Sequence, residues 1–151
     1  MESKIIIRNI DVYDDVTMAQ VLLQAEGQEK KLKCLWRTAR IRSKSTGNRI
    51  PRGTFPLQFK PRAGYLPALV LKVSVQCFIG IVPYKHVTWE NFGNDIYLLN
   101  YDESILSEDD YKRIVRTMLN VNAKTVEIKE SLHDNEYLGE NFLVKDDKVI
   151  W

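Results

Sequence analysis

The sequence predicts a mostly β domain of the α+β or all-β kind, a compact β-sheet or barrel-like fold with a single helix in its C-terminal half. Three observations carry this. Apolar runs of strand length recur along the chain with alternating polarity, glycine and proline punctuate them, and only one stretch has the apolar spacing of a helix. At 151 residues with 44% hydrophobic and 28% charged side chains, the chain is long enough for one self-sufficient core. We read residues 1–130 as that domain and 131–151 as a polar C-terminal arm carrying Tyr137, Leu138, Phe142, Val149, Ile150 and Trp151.

The elements follow in order. Lys4–Arg8 (KIIIR) is a short apolar run that reads as a strand ending at polar Asn9. Val16–Gln24 and Lys30–Arg37 flank a loop containing Gly27; the second places Leu32, Cys34 and Trp36 on one face and Lys31, Lys33 and Leu35 on the other, so the pair reads as a hairpin. Arg40–Arg52, with Gly47, Asn48 and Pro51, is a loop. Thr54–Lys60 sets Phe55, Leu57 and Phe59 on one face, and Pro56 predicts an edge strand or one with an unpaired position. Leu69–Ile81 supplies one or two strands with Leu69, Leu71, Val73, Val75 and Cys77 on one side; Pro83–Gly93 is irregular, and Ile96–Leu99 is a further strand.

The helix, over about 107–121, is the plainest element. Ser107 is placed as its N-cap, and Glu108, Asp109 and Asp110 fill the first turn, where the positive end of the dipole favours acids. Leu106 and Tyr111 have the spacing of a hydrophobic staple. Tyr111, Ile114, Val115, Met118 and Leu119 form a stripe that must pack on the sheet. Asn120–Asn122 ends the helix, and Thr125–Ile128 reads as a last strand.

The net charge of +2 conceals an asymmetry. Lys30–Arg62 holds eleven basic residues and no acid, whereas Asp102–Trp151 holds twelve acids against seven bases. The basic stretch, with Lys31, Lys33, Arg37, Arg40, Arg42, Lys44, Arg49 and Arg52, suits a docking face for a polyanion such as nucleic acid, or head-to-tail contact between copies. The partners expected are therefore proteins in a homo- or hetero-oligomeric assembly, with nucleic acid as the alternative. No apolar run is long and uncharged enough to cross a membrane as a helix, and MESKIII does not read as a signal peptide, which suggests synthesis in a cytoplasm.

No complete catalytic constellation is legible. Cys34 and Cys77 stand in apolar alternating runs, where buried thiols are inert. His86 lies in a loop where a general base could stand, and His133 lies in the polar arm. There is no CxxC, no paired histidine and no glycine-rich phosphate loop, so neither a metal nor a cofactor is expected.

The order VTMAQVLLQAEGQEKKLKCLW, NRIPRGTFPLQF, YLPALVLKV, GIVPY, GNDIYLL, helix and TVEI resembles a phage-associated domain family of the L,D-transpeptidase-like type. It spans roughly residues 16 to 129, and Ile50-Pro51-x-Gly53-Thr54-Phe55 is its most specific element. The resemblance implies that fold, with a reactive His and Cys acting on a peptide carbonyl. Aligned without gaps, those positions fall on Tyr84 and Asn94, which cannot act as such a pair. It therefore implies a non-enzymatic structural or interaction module, a virion protein of the head, connector or tail, made in the host cytoplasm. The alternatives are a cell-wall peptide-acting enzyme recruiting His86, and a nucleic-acid-binding module using residues 30–62.

Overall fold

Every second side chain along the strands turns to a common interior, and the registers carry this pattern round a full circle. The computed structural model describes residues 2–13, 16–37, 50, 52–85 and 94–129. Its elements are β1 (Lys4–Val12), β2 (Val16–Ala25), β3 (Gln28–Arg37), β4 (Gly53–Arg62), β5 (Tyr65–Ser74), β6 (Cys77–Pro83), β7 (Ile96–Asn100), α1 (Glu108–Asn120) and β8 (Thr125–Ile128). The strands close a barrel in the order β1-β2-β3-β7-β6-β5-β4-β8. Ile5 pairs with Leu23, Val21 with Leu32, Cys34 with Leu98, Ile96 with Ile81, Leu69 with Ile81 and Leu71 with Leu57. Phe55 then pairs with Val126, and Val126 with Ile5, which completes the ring. These residues form or pack against one apolar core, so the interior is filled by side chains, as a barrel of this size allows.

Two junctions are parallel, β6 with β7 and β1 with β8; the others are antiparallel. Each parallel junction needs a long return connection. Residues 84–95 supply the first. For the second, β8 enters between β1 and β4 after nearly the whole chain. The hairpin turns Glu26-Gly27 and Ala63-Gly64 each set both central residues at positive φ (50° and 87°, 53° and 86°), the turn form that matches strand twist.

The helix α1 covers one end of the barrel, reaching from the β2–β3 turn to the start of β5. Ser107 Oγ accepts from the Asp110 amide at 3.1 Å, as its cap position predicts, and Leu106 and Tyr111 are both buried. Tyr111, Ile114, Val115 and Met118 make the buried stripe. The Tyr111 hydroxyl accepts from Leu69 N–H at 2.9 Å and donates to the Ile81 carbonyl, two residues paired across β5 and β6. A phenol thus bridges two strands and fixes the helix to the wall. Burial pushes its pKa up.

Three expectations need correction, and one choice between alternatives is decided. The first strand does not stop at Asn9; it continues to Val12, because Asn9 takes φ 53° at a register shift between Arg8 and Asp11, a conformation that asparagine tolerates. Of the two readings of Pro56, the closed barrel removes the edge, and the unpaired position is the one found, on the β5 side. Pro56 is the last β4 residue paired with β8, opposite Thr125, and the first pair of β4 with β5 begins at Leu57, whose N–H bonds Lys124 O at 2.9 Å. Val75 and Cys77 do not share the inward face of Leu69 and Leu71. A register shift between Lys72 and Ser74 and a turn at Val75-Gln76 leave Val75 82% exposed and Cys77 exposed as well. Leu119, assigned to the buried stripe, is 49% exposed, because the stripe closes at Met118.

Candidate functional site

The parallel β6–β7 register decides how Tyr84 and Asn94 stand to each other. Ile81 pairs with Ile96 and Pro83 with Leu98, so Tyr84 continues the ladder toward Leu99 while Asn94 precedes its start. About five residues of strand, on the order of 16 Å, separate the two along the ladder. They therefore do not meet across one cleft. Tyr84 is half-buried, its N–H donates to Leu98 O at 2.9 Å, and its ring stands edge-on to Tyr97 with centroids 6.4 Å apart. Asn94 is exposed.

Next to Asn94 the structure builds a polar cluster that the sequence reading missed. Asp95 is 8% exposed on the outer wall, and its Oδ1 accepts from Arg62 Nη2 at 2.6 Å and from the Gly80 amide at 3.0 Å. Arg62 Nε reaches Oδ2 at 3.4 Å, so the guanidinium forks across the carboxylate. A Cβ on Gly80 would lie 2.8 Å from Arg62 Cγ and 3.1 Å from Asp95 Cγ. The signal was present: a lone glycine inside an apolar strand marks close approach by another group. The cluster joins β4, β6 and the bend residue just before β7, and all of its members satisfy one another.

The remaining reactive groups are dispersed. Cys34 is fully buried inside the barrel, and burial pushes its thiol pKa up, which keeps it protonated. Cys77 is exposed at the β5–β6 turn, far from any such environment. His86 and His133 lie outside the described residues, and among the described residues no three His, Cys, Asp or Glu side chains gather as a metal site.

The described members of the basic stretch stand in two places. Lys31 and Lys33 point outward from the helix-proximal half of β3, where Lys33 Nζ lies 2.8 Å from Glu103 and over the Tyr101 ring. Arg37 ends β3 at the other side of the barrel and Arg52 stands just before β4; Arg40, Arg42, Lys44 and Arg49 lie outside the described residues. Two lysines that the docking face did not include, Lys60 and Lys72, lie by Phe78 on the outer face of β4–β6, with Lys60 Nζ 4.6 Å from the ring centroid.

Two grooves border α1. One of about 280 Å³ lies against the β2–β3 turn over Leu23, Ile114 and Met118. The other, about 270 Å³, lies against the start of β5 between Leu66, Pro67, Val115 and Leu119, with Lys112 and Arg116 at its rim. Leu66, at the mouth of this groove, is 80% exposed.

Comparison of the chain with protein-family models, curated proteins and solved structures yields no match. The class that the fold defines is a closed, mixed eight-stranded barrel with one capping helix. No helix among the described residues is long and apolar enough to cross a membrane.

Proposed function

We propose that this barrel is a non-enzymatic structural and interaction module, working as a component of a larger protein assembly. One observation carries the reading. Among the described residues, the buried groups with chemistry to offer are engaged by the fold, Cys34 in the core, Tyr111 between strands and Asp95 on Arg62 and Gly80, and the exposed Cys77 has no base or metal cluster described beside it. Large apolar side chains at the helix end, Leu66 and Leu119, are left to solvent. That distribution suits recognition by contact better than turnover. The resemblance to a phage-associated family of the L,D-transpeptidase-like type, whose reactive His and Cys align with Tyr84 and Asn94 in the sequence, directs the proposal to a virion. Mass spectrometry of purified particles should find the chain at stoichiometric copy number. A chain that is absent from particles and monomeric in solution overturns the proposal.

A second reading, nucleic-acid binding, is favoured by Lys60 and Lys72, whose Nζ atoms lie 4.6 and 6.0 Å from the centroid of the Phe78 ring on the outer sheet surface. It predicts affinity for single strands that falls steeply with salt and is lost in Lys60→Ala/Lys72→Ala. No retention at low salt removes it.

A further inference from the structure

We propose that the groove between α1 and the start of β5 receives the C-terminal segment 134–144 of a second copy of this chain, linking barrels head to tail. The inference deepens the assembly reading and rests on it.

The groove has an apolar floor and a basic rim. Leu66, Pro67, Val115 and Leu119 supply the floor and walls, and Lys112 and Arg116 supply the charge. Leu66 and Leu119, at 80% and 49% exposure, are the large apolar residues that the fold leaves uncovered there. An occupant must therefore be apolar with acidic neighbours.

The chain carries such a segment. From Glu130 to Val144 it has four acids (Glu130, Asp134, Glu136, Glu140) and no lysine or arginine. The stretch DNEYLGENFLV within it supplies Tyr137, Leu138, Phe142, Leu143 and Val144. Its charge opposes the rim and its apolar residues match the floor, the combination that fixes register and steers encounter.

The direction of β8 argues for a neighbour's groove. β8 starts beside the helix end, where Thr125 pairs with Lys4, and runs parallel to β1 away from it; Lys129 N–H then bonds Ile7 O at 2.8 Å. At Lys129 the described chain is thus heading away from the end that holds the groove. A donor at one end and a receptor at the other form a heterologous contact, which propagates from copy to copy.

Complementation of two full-length variants tests this. Leu119→Glu spoils the groove at a half-exposed position and keeps the segment. Phe142→Glu/Leu143→Glu spoils the segment and keeps the groove. In sedimentation velocity, wild type should associate with rising concentration, and less so in high salt. Each variant alone should associate roughly tenfold or more weakly, with an unchanged melting temperature, and the mixture should stop at a one-to-one dimer. Association that persists in both variants overturns the groove assignment and leaves the assembly reading standing. Wild type that stays monomeric while its segment peptide binds only the segment variant shows the arm seated on its own barrel, which overturns the link between copies. A monomeric chain absent from particles fails the assembly reading itself.

Discussion

Arg62 Nη2 lies 2.6 Å from Asp95 Oδ1, and the same oxygen takes the Gly80 amide, so one carboxylate just before β7 ties β4 and β6 together in the barrel wall. Removing one partner from a largely buried pair leaves the other uncompensated. Asp95→Ala should lower the unfolding free energy by about 2 kcal/mol, below the cost for a fully buried pair because the Arg62 side chain is a third exposed. Gly80→Ala should cost roughly 1–3 kcal/mol by pushing a methyl group into Arg62 and Asp95. Urea denaturation measures both. Unchanged midpoints would remove this cluster from the list of structural supports.

Tyr111→Phe keeps the ring in the core and deletes the bridge between Leu69 N–H and Ile81 C=O. Leaving buried backbone groups unsatisfied costs about 1–3 kcal/mol each, less whatever the strands recover by closing on each other. A loss of about 2 kcal/mol is expected, with faster hydrogen exchange at the Leu69 amide as the local signature. Wild-type exchange at Leu69 in the variant would show that the strands bridge without the phenol.

The two thiols should differ in reactivity. Cys77 is exposed and Cys34 is fully buried, where desolvation raises its pKa. A thiol reagent should modify one cysteine in the native state and the second only on unfolding. Cys77→Ser should then show no native-state reaction, and rapid modification of that variant would contradict the burial of Cys34.

Glu127 stands between Lys129 and Lys4, with Nζ atoms at 2.9 Å on each side, and these cations hold its carboxyl below the usual carboxylate range. A depressed folded-state pKa gives stability that is present at neutral pH and lost as pH falls through the folded value. The pairs are partly exposed, so the contribution is at most about 1 kcal/mol. Wild type should lose stability relative to Glu127→Gln as pH drops below about 4.3. Parallel stability curves for the two proteins from pH 7 to pH 3 would contradict this.

Local signals were legible in the sequence wherever they were also sufficient. Ser107, the acidic first turn and the Tyr111–Met118 stripe each specify a helix without outside help, and Thr125–Ile128 lies at the bounds its alternation predicts. The hairpin around Gly27 was equally local. Failures arose where one residue reset the pattern. Asn9 and the shift after Lys72 change which face the next side chains take, and no periodicity reveals an inserted residue before the partner strand is known. The Arg62–Gly80–Asp95 cluster joins β4, β6 and the bend residue just before β7, so only Gly80 hinted at it. The separation of Tyr84 from Asn94 follows from β6 and β7 being parallel, a relation that their two short segments do not encode.

Because β8 sits between β1 and β4, the barrel has a keystone that is among the last of the described residues to leave the ribosome. Until residues 125–128 emerge, the nascent sheet has two open rims, one of them the apolar KIII of β1. Such rims are templates for pairing with other chains, and contacts between segments as far apart in sequence as β1 and β8 form slowly. Synthesis therefore passes through an interval in which closure competes with intermolecular strand pairing, and a ribosome stalled before Thr125 would hold a sheet with nothing to complete it.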